Sequence, residues 1–304
     1  MGAEVRYVGP DHDGALRSGV RGHVIETTAG RTRSFRAGGR QARVSRGQVR
    51  IAVADGTTAV ARVKDLELVT PPHVLRPERD AAAARWLLEE LRPWTSGDQM
   101  LPVASFVPES YAAVVKILHP WAGKDEHAVV PWQQVMAVAQ LPSLHALSRT
   151  RSMGGPPQLE GWQSPAQGRL DQRTAAGLVA VLQSATDTPA NVFVGVWTGW
   201  GGFPYQRFPG AAVIPTEARG HRLLRGPLTG VLQPVSDRSD EVETSGIWWP
   251  ADRAWVVVTE IDFEWTFVAG SEALVEELAS HPDLEVLRTD MDAPANRLDQ
   301  DRPV

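Results

Sequence analysis

The sequence predicts an α+β protein in two parts, a small β-barrel module at residues 1–70 and a larger acidic, Trp-rich domain at residues 78–290. Residues 1–70 hold 12 Lys and Arg against 7 Asp and Glu, whereas the remainder holds 19 against 29. The net charges of the two parts are therefore about +5 and −10. Three prolines at positions 71, 72 and 77 disfavour both helix and central strand, which predicts a linker at residues 71–77. The polar residues 291–304 predict a loose tail.

The composition excludes several classes of protein. The chain has no cysteine, which rules out disulfides, thiolate metal sites and cysteine nucleophiles. We also expect neither a secretion signal nor a membrane span, because no apolar run approaches the ~20 residues that cross a bilayer. The sequence therefore predicts a cytoplasmic protein with no membrane partner.

The first part consists of short β-branched runs separated by glycine-rich turns, with no helical period. The runs cover residues 5–8, 22–26, 49–54 and 58–63. Arginines concentrate around the Gly38-Gly39 turn of this module: Arg31, Arg33, Arg36, Arg40 and Arg43. Such a cluster can follow a phosphate backbone, but only one aromatic residue, Phe35, stands among them to stack on a base. The alternatives are a solvated basic surface and a surface that binds nucleic acid or an acidic partner.

The second part begins with a helical segment and continues into a mixed, mostly antiparallel sheet. Helical spacing of apolar residues, with proline and N-cap signals, predicts helices at residues 78–91, 108–118, 131–139, 171–182 and 271–280. Residues 150–169 are rich in Gly, Pro, Gln and Ser, which predicts a long loop. Residues 191–197 and 284–288 are predicted to be strands.

Residues 254–268 alternate regularly between two kinds of side chain. The even positions end in Glu260, Asp262 and Glu264, which on one strand would stand about 7 Å apart on one face. Fifteen residues is long for a strand, so the pattern also allows a bulge or turn near residues 260–262. A divalent cation or an arginine such as Arg253 would relieve the repulsion between the carboxylates. If the protein is an enzyme, Asp252, Glu260 and Asp262 are the candidate catalytic residues; the alternative is a water-facing strand end.

Aromatic residues are concentrated in two segments. Residues 193–208 and 248–267 contain 12 of the 21 aromatic side chains, and glycines are interleaved with them in the first segment. The rings are large enough to form the core of the domain, or else they line a ligand cleft. The candidate ligand-binding residues are Trp197, Trp200, Tyr205, Trp248, Trp249 and Arg253.

The sequence contains none of the common linear motifs for cofactor or metal chemistry. There is no P-loop, GxSxG, HExxH, EF-hand loop or dinucleotide fingerprint. The histidines at 119, 127, 145 and 221 have no ligand-like spacing. We therefore predict no cofactor and no metal site.

Short stretches of the sequence resemble two known families. The first is carried by Leu118-His119-Pro120, by VWxGWG at residues 196–201 and by WWPxDRxW at residues 248–255. In these blocks residues 105–290 are similar to a bacterial family common in high-GC actinobacteria, which implies no particular activity. The second block, GVRGHVIE at residues 19–26, resembles the SH3-like barrels of the KOW type. That resemblance implies a barrel and a surface for RNA, DNA or protein.

Three functional hypotheses remain open. The leading hypothesis is a non-enzymatic recognition protein, including the immunity type, whose Trp-rich face binds a protein or a small molecule. The second is a hydrolase or divalent-metal enzyme that uses Asp252, Glu260 and Asp262. The third is nucleic-acid binding through the basic module.

Overall fold

The chain divides into two compact units, residues 1–72 and residues 73–304. The computed structural model describes residues 74–94, 101–123, 129–151, 159–199, 208–216, 219–233, 246–298 and 302–303, together with seven strands before residue 69. The predicted α+β class is confirmed, since helices and antiparallel strands are both present. Within the residues described, no helix is long and apolar enough to cross a membrane.

The first unit contains a five-stranded antiparallel sheet in the order β6-β5-β2-β1-β7. Its strands are β1 (Glu4–Tyr7), β2 (Arg21–Thr27), β5 (Gln48–Val53), β6 (Thr58–Arg62) and β7 (Leu66–Leu68). The remaining two strands, β3 (Arg33–Ala37) and β4 (Arg40–Val44), pair with each other as a hairpin. The register of β2 against β5 shifts between Val24 and Glu26, which marks a bulge. The four β-branched runs of the sequence therefore coincide with β1, β2, β5 and β6.

The second unit is built on one large antiparallel sheet. Its strands are β8 (Arg76–Pro77), β9 (Ala113–Leu118), β12 (Val192–Trp197), β13 (Val213–Thr216), β14 (Arg219–Gly226), β15 (Gly246–Pro250), β16 (Val256–Thr259), β17 (Trp265–Gly270), β18 (Val286–Thr289) and β19 (Arg302–Pro303). The order is β13-β14-β12-β15-β16-β17-β9-β18-β19, and β8 shares an edge of β14 with β13. A separate pair joins β10 (Trp121–Ala122) to β11 (Val129–Val130).

Helices cover both faces of this sheet. They are α1 (Arg85–Glu90), α2 (Trp132–Ala139), α3 (Leu144–Arg151), α4 (Gln172–Ser184) and α5 (Glu272–Ser280). The first core packs α4 and α5 on one face of the sheet, and the second core packs α1, α2 and residues 103–107 on the other face. Alternate residues of each central strand enter different cores; Val115 belongs to the first and Val114 to the second. The described residues of this unit therefore form three layers.

The prediction of a helix at residues 108–118 is wrong, because β9 occupies residues 113–118. The spacing of Tyr111, Val114, Val115 and Leu118 fits one face of a helix. All six residues of β9 are buried, however, so the segment has two apolar faces rather than one. A short continuous apolar run has this ambiguity, and its β-branched content favours a central strand.

The prediction of a loose tail is also wrong for residues 291–298. Ala293, Ala295 and Leu298 are buried, and Val103 donates a backbone hydrogen bond to Ala293. The physical reason is Lys116, which is 0% exposed in the middle of β9. Its ammonium group donates to the carbonyl oxygen of Arg297 at 2.5 Å and lies 5.2 Å from the centre of the Trp265 ring. A buried ammonium needs such acceptors, and they fix the segment over the strand.

Residues 254–268 form a hairpin instead of one long strand. β16 ends at Thr259, β17 begins at Trp265, and the two strands pair with Val257 opposite Val268. Phe263 closes the connecting turn by donating its backbone N–H to the carbonyl of Glu260 at 3.1 Å. The acidic residues after Thr259 therefore lie in a turn at one end of the sheet.

Candidate functional site

Two of the three predicted catalytic carboxylates meet at one arginine. Nη2 of Arg219 lies 2.6 Å from Oε1 of Glu260 and 2.7 Å from Oδ2 of Asp262. The contact with Asp262 has hydrogen-bond geometry, whereas the contact with Glu260 is close but poorly angled and is best described as an ion pair. Arg219, and not Arg253, is therefore the cation that relieves the repulsion between these carboxylates.

Strand register explains why Arg219 reaches the turn. Arg219 begins β14, where it pairs with Thr216 of β13, and the Thr216 hydroxyl donates to the Arg219 carbonyl at 2.9 Å. The start of β14, the end of β12 and the end of β16 all lie at the same end of the antiparallel sheet. The guanidinium carbon of Arg219 is 5.6 Å from the ring centre of Trp197, the last residue of β12. Trp197 is thus the one predicted ligand-binding residue that reaches this site among those the structure describes.

The two carboxylates have different environments. The Glu260 side chain is 11% exposed and that of Asp262 is 68% exposed. Burial raises the pKa of Glu260 above its usual range, although the positive charge of Arg219 opposes the shift. A cleft carboxylate with a perturbed pKa is typical of functional sites, although burial at a purely structural position raises a carboxyl pKa in the same direction.

Aromatic rings form the wall of a cleft above this ion pair. The cleft has a volume of about 220 Å³, and its lining includes Trp94, Phe106, Phe263 and the side chains of the ion pair. The ring centre of Phe106 lies 5.5 Å from that of Trp94 and 5.5 Å from that of Phe263. Phe263 also stacks on Trp265 at 5.3 Å, which anchors the wall to the second core. The rings are held by packing, so the cleft is formed without a ligand.

A smaller cavity of about 30 Å³ adjoins the cleft and shares Trp94, Phe106, Arg219 and Glu260 with it. This volume holds about one water molecule. Four buried polar atoms of its lining residues make no well-formed hydrogen bond to any described residue: Oγ of Ser105, Nε of Arg219, Nδ1 of His221 and Oε1 of Glu260. Buried polar atoms without partners are rare in folded proteins.

His221 stays neutral at physiological pH. It is 6% exposed, and burial lowers its pKa to about 4, with the charge of Arg219 adding to the shift. The backbone of Arg219 opposes the shift but does not give Nδ1 a well-formed hydrogen bond. His221 therefore brings no positive charge to the cavity at pH 7.

Asp252 lies at the opposite end of the sheet. It follows β15, whose first residue, Gly246, pairs with Thr259 beside the site. Six residues of extended chain span about 20 Å, so Asp252 does not join the other two carboxylates. It accepts hydrogen bonds from the Thr186 hydroxyl at 2.7 Å and from the backbone N–H of Asp187 at 2.8 Å. Burial alone would raise the pKa of Asp252, but these bonds outweigh it and the pKa is lowered.

Arg253 is also part of this distant turn. It has a φ of 56°, a left-handed conformation that few side chains adopt. Its guanidinium carbon lies 4.8 Å from the ring centre of Trp86, and its carbonyl accepts a hydrogen bond from the Tyr111 hydroxyl at 3.1 Å. A separate hollow of about 290 Å³ borders these three residues. Arg253 is thus separated from the Arg219 site by the length of the sheet.

The prediction that Trp248 and Trp249 bind a ligand is wrong. Each is 1% exposed, Trp248 in the first core and Trp249 in the second. Trp249 stacks on Phe193 at 5.4 Å and meets Trp86 edge-on at 6.3 Å. Adjacent residues of a strand point to opposite faces, so a Trp-Trp pair in a central strand of a covered sheet fills both cores.

The remaining predicted site residues are only partly described. Trp200, Tyr205 and Arg31 lie outside the described residues. Arg33, Arg36, Arg40 and Arg43 belong to the β3–β4 hairpin, in which Arg36 pairs with Gln41 and Arg40 with Ala37.

The largest described hollow has a volume of about 360 Å³. Charged groups in its lining already have ion-pair or hydrogen-bond partners within the protein. Its Arg173 pairs with Asp283 at 2.5 Å. The carboxylate of Glu285 accepts the backbone N–H groups of Trp132 and Gln133 at the start of α2, at 2.6 and 3.1 Å. We therefore regard this hollow as structural.

Sequence reasoning missed most of the residues that complete the site. Trp94 and Phe106 lie before the two Trp-rich segments, and Arg219 and His221 lie between them. No local motif marks these residues, since they approach the turn at residues 260–263 only through the sheet order. Among the described residues, no group of three His, Asp or Glu side chains is arranged to hold a metal ion.

Comparison with known proteins adds no relative. The chain has no significant match to any protein-family model, to any curated protein or to any solved structure.

Proposed function

We propose that this protein is a non-enzymatic recognition protein that binds a small molecule in the aromatic cleft. One observation supports this most strongly: three aromatic rings and an arginine shared by two carboxylates enclose about 220 Å³ at one end of the sheet. Small-molecule sites in proteins typically combine apolar and aromatic walls with a few fixed polar groups. The volume is below the roughly 300–1,000 Å³ of drug-sized sites, which favours a ligand the size of a bicyclic ring with a short side chain.

The neighbouring cavity supports the same proposal. Buried groups that lack partners carry an unpaid desolvation cost of about 1–3 kcal/mol each. A ligand whose polar end reaches Ser105 or His221, directly or through the one water that the cavity holds, recovers part of that cost.

The experiment uses three probes that each contain one indole ring: tryptamine, 3-ethylindole and indole-3-propionate. Binding to the full-length protein is measured by isothermal titration calorimetry and by saturation-transfer NMR. We expect at least one probe to bind at a single site with Kd in the range of about 0.1–5 mM, as ligand efficiency predicts for so few atoms. Trp94→Ala should weaken that binding, and Asp252→Asn, at the opposite end of the sheet, should not. The proposal fails if no probe shows saturable binding up to about 10 mM.

Acid–base catalysis is the second candidate, and the raised pKa of Glu260 is the observation that favours it. The reaction would use Glu260 and Asp262 without Asp252. Uptake of Mn²⁺, measured by equilibrium dialysis, would support the metal-dependent form if it were lost in Asp262→Asn. Unchanged uptake in that variant would exclude it.

For the first unit we propose an SH3-like barrel with a nucleic-acid-binding hairpin. The pairing of β3 with β4 supports this, because it gathers Arg33, Arg36, Arg40 and Arg43 in one two-stranded ribbon, a shape that the major groove of DNA admits. We also propose that residues 105–290 belong to the actinobacterial family that they resemble. A cytoplasmic location is a further proposal, which the lack of cysteine favours.

A further inference from the structure

We infer that the ligand of the aromatic cleft carries a cationic nitrogen, an ammonium or guanidinium group on an apolar or aromatic body. This inference rests on the proposed function and names the chemical class of its ligand. The charge of the cleft and the position of its rings support it.

The charges that line the cleft are unbalanced. Among the described lining residues Arg219 is the one cation, and it faces two carboxylates. A single nitrogen, Nη2, is close to both Glu260 and Asp262, so one positive charge is shared between two negative ones. The described lining residues therefore carry a net charge of about −1. A second cation is therefore attracted to the cleft, and an anion is repelled.

Asp262 is the carboxylate that can accept this second cation. It is 68% exposed, whereas Glu260 is 11% exposed below it. One of its oxygens, Oδ2, is bonded to Arg219. A carboxylate has about four acceptor positions on two oxygens, so a ligand ammonium can bind Asp262 without displacing the arginine.

The rings favour the same class of ligand. Trp94, Phe106 and Phe263 line the cleft together with Asp262, and aromatic faces attract cations through the negative potential above the ring. Lys116, the nearby buried cation, contacts the rings of Trp265 and Phe267 and is not one of the lining residues. The lining thus provides aromatic surface and net negative charge side by side, which is the combination that cationic ligands require.

The test compares the three indole probes, which share a two-carbon side chain and differ in the terminal group that sets its charge at pH 7. We expect tryptamine, the cation, to bind at least about 10-fold more tightly than neutral 3-ethylindole, and indole-3-propionate, the anion, to bind more weakly than both. Raising the salt concentration from about 0.05 to 0.5 M should reduce the preference for tryptamine.

Asp262→Asn tests the assigned carboxylate. Because Asp262 is exposed and lies in a turn, this variant should fold, which far-UV circular dichroism will verify. We expect tryptamine binding to weaken about 3- to 10-fold while 3-ethylindole binding is unchanged; Asp252→Asn is the matched acidic control and should alter neither. Three results would overturn the inference. They are 3-ethylindole binding as tightly as tryptamine or more tightly, indole-3-propionate binding most tightly of the three, and a preference for tryptamine that is unaltered in Asp262→Asn. Any of these results leaves the cleft as a binding site, whereas binding of no probe at all overturns the proposed function.

Discussion

Replacement of Arg219 by alanine should destabilise the second unit in a pH-dependent way. The substitution leaves Glu260, which is 11% exposed, beside Asp262 without its counter-ion. Breaking a fully buried ion pair costs about 3–5 kcal/mol. Arg219 is itself 21% exposed, so solvent screening reduces the expected cost to about 2 kcal/mol at pH 7. That is about a 30-fold change in the unfolding equilibrium.

The pH dependence follows from the pKa of Glu260. Burial already raises this pKa in the folded protein, and loss of Arg219 raises it further. A carboxyl group with a raised folded pKa stabilises the folded state below its unfolded pKa of about 4.3, and this contribution is lost as the pH rises through the folded value. The deficit of Arg219→Ala should therefore be largest at pH 7 and shrink toward pH 4.5.

Urea unfolding followed by tryptophan fluorescence measures this directly, because all 11 tryptophans lie beyond residue 72 and report on the second unit. The double variant Arg219→Ala/Glu260→Gln is the control and should recover at least half of the lost stability, since its neutral side chain needs no counter-ion. A deficit below about 0.5 kcal/mol at pH 7, or one of equal size at pH 5, would refute the electrostatic argument.

Four further outcomes are expected. Gly246→Ala should prevent folding of the second unit, seen by circular dichroism, because a Cβ atom at this φ of 140° would lie 1.7 Å from the carbonyl oxygen of Gly195; a folded variant would show that β12 and β15 can separate. Asp252→Ala should lower the free energy of unfolding, measured by urea titration, by about 1–2 kcal/mol, because its hydrogen bonds are lost. It should leave tryptamine binding unchanged, and weaker binding would contradict the placement of this turn away from the cleft. Burial lowers the pKa of His119 to about 4, so its contribution to stability is present above pH 6.5 and is lost as the pH falls toward 4. His119→Asn keeps a donor for the Ala166 carbonyl and should lose less stability across this pH range in urea titrations. A pH profile of stability identical to that of the unmodified protein would disprove this role of His119. Finally, binding of a fluorescent DNA duplex should weaken steeply with salt and be impaired by the substitutions Arg36→Ala and Arg40→Ala together, and salt-insensitive or absent binding would rule out the nucleic-acid role.

Local sequence signals predicted most of the helices. Asp171 accepts the backbone N–H groups of Arg173 and Thr174 at the start of α4, and Ser271 accepts that of Leu274 at the start of α5. These capping bonds join residues two or three positions apart, so the sequence contains both partners. Residues 113–118 misled the prediction because their two-sided burial is decided by distant segments that cover both faces of the sheet.

The WWPxDRxW block shows the limits of a motif. Trp248, Trp249 and Trp255 are buried in the cores. Asp252 accepts the backbone N–H of Ala254 in its own turn and that of Asp187 in a neighbouring segment, and Arg253 has the left-handed conformation of the turn. Every one of these roles is structural. A residue pattern this distinctive suggested a ligand site, but a tight turn between two buried strands imposes requirements that are just as specific.

Local signals in the sequence were enough to predict the α+β class and the residues at which α2, α4 and α5 begin, because capping and periodicity act over a few residues. They allowed a turn near residues 260–262 but did not distinguish it from a bulge in one long strand. The partners of that turn depend on how distant strands are ordered in the sheet. Arg219 is 41 positions before Glu260 in the sequence, and it reaches the carboxylate because β14 begins and β16 ends at the same end of the antiparallel sheet. Trp94 and Phe106 arrive from the layer that covers the sheet. Charge pairing and aromatic packing depend on distance in space, and strand order is a property of the whole chain.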